Sequence, residues 1–277
     1  MPLAQSSGAV HATTVLDRTE LAPGVVVIGL HAPDLVAVTR PGHFVMAIPP
    51  SGERASVALG VYEAEGERAS FMLAVVGSRT RELADVAPGE TLELFGPLGN
   101  GFDLSRGHRN VAIVAGGVGI ASVLLAAREL IASGAKVRLY YGARTKSLLA
   151  DAERFEQAGC ALHCATDDGS YGHHGFVTDL LAKTEDTPDV VLACGPSPML
   201  RAICRITAHM KIPTQLSLEE TFACGVGACW GCVVPIDRGS RQAPRFPMLS
   251  TDGSRRDAVY TRICKEGPIF WAHELRW

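Results

Sequence analysis

Three cysteines at C-x4-C-x2-C spacing (Cys224, Cys229 and Cys232), answered by a lone Cys264 farther on, constrain this chain more than any other feature. Four thiolates at that spacing hold the two irons of a [2Fe–2S] cluster. The intervening residues suit an anionic group. Gly225, Gly227, Ala228 and Gly231 are small, so the backbone can wrap closely and turn N–H groups toward sulfur, using φ > 0 angles that glycine tolerates. A structural zinc site is the alternative. Zinc sites usually show two closely spaced ligand pairs, whereas Cys264 stands by itself.

The chain's 277 residues suffice for two ordinary domains and a small appendage. A formal net charge of −3 leaves no basic footprint for nucleic acid. Of eight cysteines, Cys160, Cys164, Cys194 and Cys204 fall outside the motif in apolar stretches, as buried free thiols do. That usage leads us to expect a reducing, cytoplasmic setting. Met1-Pro2-Leu3-Ala4 does not open a charged-then-apolar leader, so no secretory signal is expected. The long uncharged run from Val111 to Ala127 is split by Gly116, Gly117 and Gly119, and no membrane span is expected there.

From Ala9 to Phe95 short apolar runs alternate with turn residues: Val25–Ile28, His43–Ile48, a hairpin of Ala55–Tyr62 with Ala69–Val76, and Thr91–Phe95. One short helix, Arg79–Val86, interrupts them. This pattern predicts a small antiparallel β-barrel or sandwich. At Asn110 the grammar changes. Strands Val111–Ala115, Lys136–Ala143, Ala161–Thr166, Val190–Cys194 and Thr214–Leu218 alternate with helices ending at Ser133, over Leu148–Ala158 and Phe176–Ala182, and over Pro198–Met210. Alternation of this kind predicts a doubly wound parallel α/β sheet. Beyond Leu218 the chain reads as loop-rich. Arg238, Arg241, Arg245, Arg255, Arg256 and Arg262 lie between Cys232 and Cys264, either as a solvated loop or as a docking surface.

Gly116-Gly117-Val118-Gly119 joins the first α/β strand to its helix, a place where small residues and a helix N-terminus favour an anion. It lacks the full G-x-G-x-x-G fingerprint, and a tight turn alone would also require glycine. Cys194-Gly195-Pro196-Ser197-Pro198-Met199 ends the fourth strand, and Asp167–Gly172 follows the third. Both would lie on the carboxyl edge where open α/β sheets bind ligands. Gly96-Pro97-Leu98-Gly99-Asn100-Gly101-Phe102 lies at the join between the two halves, as a linker or as a close approach to a flat cofactor. Arg54 is suited to grip a pyrophosphate, although an arginine in a turn is commonly just solvated.

With these motifs in order, the chain resembles the ferredoxin-reductase superfamily. The likeness is greatest to the iron–sulfur electron-transfer subunits of heterodimeric, NAD-dependent dihydroorotate dehydrogenases. It spans nearly the whole sequence and is most specific at Gly96–Phe102, Gly175–Asp179, Cys194–Met199, Leu218-Glu219-Glu220 and Cys264–Phe270. The resemblance implies three domains: a β-barrel holding FAD (1–105), an α/β domain receiving NAD(H) or NADP(H) (106–218), and a small [2Fe–2S] module (219–277). It implies iron ligands Cys224, Cys229, Cys232 and Cys264. It also implies flavin contacts at Arg54, Ala55, Ser56, Val57, Met72, Leu73, Ala74, Arg79, Thr80, Gly99 and Asn100. Gly116, Gly117, Gly119, Cys194, Gly195 and Pro196 would meet the nucleotide.

Three departures from the family pattern stand out. Arg54-Ala55-Ser56-Val57 replaces Arg-Pro-x-Ser, Arg79-Thr80 replaces Gly-Thr, and the loop before Cys264 is longer. The implied role is a relay between NAD(H) and a catalytic flavoprotein partner that oxidises dihydroorotate in pyrimidine biosynthesis, assembled as a heterotetramer. The alternatives are the small subunit of a sulfide dehydrogenase or of an NADH-dependent ferredoxin:NADP oxidoreductase, or a redox sensor that has lost FAD. Arg144, after the second α/β strand, is suited to a 2′-phosphate; NADH is the expected donor.

Overall fold

A computed structural model of the chain describes residues 8–51, 56–243, 248–249 and 258–277. The first half is a closed antiparallel barrel. Its strands are β1 (Ala9–Ala22), β2 (Val25–His31), β3 (Phe44–Ile48), β4 (Val57–Glu65), β5 (Arg68–Ala74) and β6 (Thr91–Leu98), in the order β1-β2-β5-β4-β3-β6. Pairing of Ala9–Thr14 with Thr91–Gly96 closes it. Helices α1 (Pro33–Val38) and α2 (Ser78–Ala84) cap it. Inside, Ile28, Leu30, Val45, Leu59, Phe71 and Leu94 form one core. In β2 the apolar run does not alternate because both faces are covered: Val26, Ile28 and Leu30 point inward, while Val25 and Val27 join the core of the next domain.

The second half is a seven-stranded sheet. Its parallel strands are β7 (Asn110–Gly116), β8 (Lys136–Ala143), β9 (Ala161–Thr166), β10 (His173–His174), β11 (Val190–Cys194) and β12 (Thr214–Ser217), ordered β10-β9-β8-β7-β11-β12. Helices α3 (Leu124–Ala132), α4 (Ala152–Gln157), α5 (Val177–Ala182) and α6 (Ser197–Met210) pack against it. The continuous apolar run of β7 follows from burial on both faces, with Val111, Ile113 and Ala115 in one core and Ala112 and Val114 in the other.

Two helices differ from the pattern read in the sequence. The segment Gly117–Val123 is wound as a tight 3-10 turn before α3 begins. The predicted helix Leu148–Ala158 contracts to α4 because Asp151 adopts a left-handed φ of 53°. Its carboxylate accepts from the Tyr62 hydroxyl of β4 and from Arg154 Nε at 2.8 Å. Glu63 on the same strand accepts from Arg154 and Arg128 at 2.9 and 2.8 Å, so a charged network ties barrel to sheet.

The chain beyond Leu218 is more ordered than expected. Strands β13 (Val233–Asp237), β14 (Met248–Leu249) and β15 (Ala258–Arg262) form an antiparallel sheet, followed by α7 (Ile263–Glu266). Then β16 (Ile269–Trp271) adds to β12 as an antiparallel edge. Asn100 secures that return. Its Nδ2 donates to Ile269 O at 2.8 Å and its Oδ1 accepts from Ile269 N at 3.0 Å. Replacing Asn100 with Ala leaves the Ile269 N–H without its partner, while Ile269 O keeps the bond from Gln242 Nε2 at 2.7 Å, so urea denaturation should show a loss of about 1–3 kcal/mol.

Candidate electron-transfer site

The parallel strands run outward from β7 to β9 and resume at β11 on the other side of β7. Loops diverge at that switch point and leave a crevice at the carboxyl edge. A cavity of about 670 Å³ lies there, walled by Gly116, Gly117, Gly142, Thr178, Pro196 and Met199 among others. Gly119 sits behind the wall. A Cβ on it would lie 2.6 Å from Cys194 O, so the β7 turn and the end of β11 touch backbone to backbone. Arg144 and Asp167 lie at the same edge, on the cavity wall.

A second cavity, of about 330 Å³, opens between barrel and sheet. Val57, Met72, Leu73 and Ala74 line it from the barrel, and Ser122, Ser217, Glu219 and Phe222 from the other side. Both volumes fall in the range of roughly 300–1,000 Å³ common for small-molecule sites. The two cavities share Ala74, Val76 and Val118 as walls. Val76 is 84% exposed in this shared rim, an apolar surface with no protein cover.

Cys194 and Glu219 meet beside that rim, with the thiol donating to Glu219 Oε1 at 3.3 Å. Burial, followed by the neighbouring carboxylate, pushes the Cys194 thiol far above its ordinary range. Desolvation raises the Glu219 carboxyl as well. That carboxyl is densely surrounded yet open to the cavity, so a bound ligand would complete its desolvation.

The cysteine loop follows at once. Phe222 packs on Phe44 of β3 with ring centroids 5.1 Å apart. Gly225 approaches Met46 so closely that a Cβ there would lie 2.5 Å from its Cγ. The thiols associate two and two, Cys224 with Cys229 and Cys232 with Cys264. Burial raises Cys224, but N–H donation from Cys229, Val226 and Ala228 outweighs it and brings the thiol to about 7. Donation from the Cys264 thiol, opposed by burial and helped by the Cys264 and Ile263 N–H groups, lowers Cys232 to about 6. Cys264 is pushed up correspondingly by sharing its proton with Cys232. Among the described residues, no three His, Cys, Asp or Glu side chains converge on a single ion position. Two thiol pairs, each met by backbone N–H groups, fit a two-iron cluster better than one zinc.

Comparison with known proteins agrees with this layout. Residues 113–205 match the oxidoreductase NAD-binding domain, and residues 219–245 the iron–sulfur cluster binding domain of dihydroorotate dehydrogenase B. The dihydroorotate dehydrogenase B (NAD(+)) electron transfer subunit of Clostridium acetobutylicum is 35% identical over 240 residues, 85% of this chain and 86% of that protein. The chain belongs to this family of electron transfer subunits. Its Enterococcus faecalis relative is 33% identical over 271 residues, 95% of this chain and 96% of its own. The solved NADH-dependent reduced ferredoxin-NADP oxidoreductase, studied for flavin-based electron bifurcation, superposes with a TM-score of 0.81. It is 27% identical, over 98% of this chain and 92% of that one. An Amycolatopsis cytochrome P450 reductase shares the fold at TM-score 0.65 and 23% identity, over 74% of this chain and 67% of that one. Oxidoreductase electron transfer with NAD, FAD and a [2Fe–2S] cluster is therefore the activity of this family member. No helix among the described residues is long and apolar enough to cross a membrane.

Within this family member, the residues singled out in the sequence are distributed unevenly. Gly116, Gly117 and Pro196 line the larger cavity, with Gly119, Cys194 and Gly195 packed behind it. Val57, Met72, Leu73, Ala74 and Thr80 line the smaller one. Thr80 Oγ1 also accepts from the N–H groups of Val76 and Gly77, both at 3.0 Å, and so shapes the shared rim. Ser56 precedes β4 and Arg79 lies on α2, outside both linings. Gly99 packs on Pro268, and Asn100 is spent on Ile269. Arg54, Ala55, Arg245, Arg255 and Arg256 lie outside the described residues. Ser122, Ser217 and Val76 were missed by the reading of the sequence, and Glu219 entered it only as part of the Leu218-Glu219-Glu220 stretch, without a role. The paired Glu219-Glu220 directly after an apolar strand was the available signal. Gly119→Ala should force the β7 turn from β11 and lower stability by about 1–3 kcal/mol in thermal denaturation. Gly231→Ala should be neutral, since its Cβ would meet only Cys229 Sγ at 3.5 Å.

Proposed function

We propose that this chain carries electrons between NADH and a catalytic flavoprotein partner that oxidises dihydroorotate. The carrying observation is the continuity of the site: two ligand-sized cavities share one apolar wall, and the cysteine loop packs against the second of them. FAD, where bound, would supply the conversion of hydride chemistry into single-electron transfer that the nucleotide and cluster lack.

The protein's part is binding, orientation and exclusion of water. Residues 1–105 would hold the flavin, 106–218 the nucleotide and 219–277 the cluster. Gly116, Gly117, Gly119, Cys194, Gly195 and Pro196 shape the nucleotide cavity. Val57, Met72, Leu73, Ala74 and Thr80 shape the flavin cavity, and Arg54, Ala55, Ser56 and Arg79 are proposed as further flavin contacts. Apolar Val76 and Val118 present the meeting point with an uncharged wall. Glu219 lines the flavin cavity, and desolvation raises its carboxyl above the ordinary carboxylate range, which suits it to exchange a proton with a bound group. Cys194 fixes that carboxyl through its thiol. Asp167 on the nucleotide wall favours a ribose diol over a 2′-phosphate, which supports NADH as the donor despite Arg144 nearby. No disulfide joins the described cysteines, and Cys160, Cys164, Cys194 and Cys204 are thiols outside the cluster motif, which supports a reducing, cytoplasmic location.

A second reading, the small subunit of an NADH-dependent ferredoxin:NADP oxidoreductase, draws on the 0.81 TM-score with such a protein. Co-purification separates the two. The complex should contain a dihydroorotate-oxidising subunit and reduce NAD(+) with dihydroorotate; a partner that turns over ferredoxin and NADP(+) instead would select the second reading. In anaerobic stopped flow, NADH should bleach the flavin band and then the cluster bands. Glu219→Gln should leave both chromophores bound and slow this reduction by about 100-fold or more. Cys232→Ser should abolish bound iron and labile sulfide, whereas Cys204→Ser, on α6, should retain both.

A further inference from the structure

Arg262 ends β15, two residues before Cys264, and reaches across to the Cys224–Cys232 loop. One Nη donates to Gly227 O at 2.7 Å, and the guanidinium lies over the Trp230 ring, 4.7 Å from its centroid. Trp230 holds a left-handed φ of 56°, a conformation costly for a bulky residue and kept only where its surroundings enforce it. Glu266 sets the arginine from behind. Its carboxylate accepts from Arg262 Nε at 3.0 Å, from the other Nη, and from the Arg262 backbone N–H at 3.0 Å. Both side chains are largely buried, at 20% and 9% exposure. The two segments that bear the thiols are thus stapled by one fork whose positive end faces the cysteine loop.

We propose that Arg262 is a positioning residue for the cluster: it locks the Cys224–Cys232 loop onto the Cys264 segment and presents a fixed positive charge to the thiolates. Reduction adds a negative charge to an already anionic group, and a cation held nearby in a poorly solvated setting favours the reduced form. Glu266 balances the pair overall, so the effect is that of an oriented dipole. Lysine at this position keeps the positive charge on a flexible stem, so it serves as the conservative control. The inference rests on Cys224, Cys229, Cys232 and Cys264 being the iron ligands.

Redox titration of the holoprotein followed by electron paramagnetic resonance tests it, with iron and labile sulfide assayed in parallel. Wild-type protein without iron would sink the ligand assignment itself. Given a wild-type cluster, R262Q should keep its iron and titrate at a more negative potential, while R262K should stay close to wild type. An unshifted R262Q with full iron content overturns the proposal, as does an R262K shift as large as that of R262Q. If R262Q loses its iron, retention in R262K supports the role of the charge, and loss in both variants overturns it.

Discussion

The return of the chain end to the central sheet is the constraint on which the site depends. The polypeptide leaves the sheet at Ser217, and Ser217 pairs again with Ile269. Everything between is an excursion pinned at both ends to one strand. Asn100 fastens the same point to the segment that follows the barrel. Closing a long loop costs entropy only logarithmically in its length, so two pinned ends suffice to hold a large lobe. The thiol-bearing segments lie inside the excursion, and Phe222 and Gly225 press its first turn onto β3 of the barrel. The cysteine loop is therefore held beside the smaller cavity by its packing on Phe44 and Met46.

Much of this was legible because local pattern and tertiary role coincide. The strands β7 and β11 read correctly, since burial on both faces writes a continuous apolar run into the sequence, and β8 and β9 were legible from their alternation with helices. The thiol spacing was legible for a similar reason: ligand geometry over three turns of loop is a local property. The C-terminal sheet was not, because β13 and β15 pair across a long intervening segment and each is only five residues long. Nothing local distinguishes such strands from loop. Asp151 was misread as helical because its left-handed backbone is enforced by Tyr62 and Arg154, which lie far away in sequence or across a helical turn.

Function-bearing side chains were legible only where identity alone implies chemistry. Cysteines at metal spacing announce themselves, but a glutamate does not. Glu219 stands out only because the fold sets it against the buried Cys194 thiol at the edge of a cavity, and that placement is not local to the sequence. Asn100 carries the opposite lesson. It lies in a glycine-rich stretch that suggests a flat ligand, yet its amide satisfies backbone groups of β16. A polar side chain between glycines serves a ligand or the chain itself, and only the packing decides which.

The exposure of the cysteine loop gives the electron path a direction. Its inner rim is packed against the barrel at Phe222 and Gly225, and Cys232 and Cys264 are buried. The outer rim is open: Val226, Ala228, Cys229 and Gly231 all face solvent. An anionic group held between these rims is insulated on the side of the flavin cavity and accessible on the other. Insulation suppresses side reactions with water where the nucleotide and flavin meet, while access lets a partner approach the exit closely. Small residues on that open rim, flanked by apolar Val226, permit such an approach without displacing bulky side chains. The same smallness that lets the backbone wrap the sulfurs thus also thins the protein between the cluster and whatever docks there.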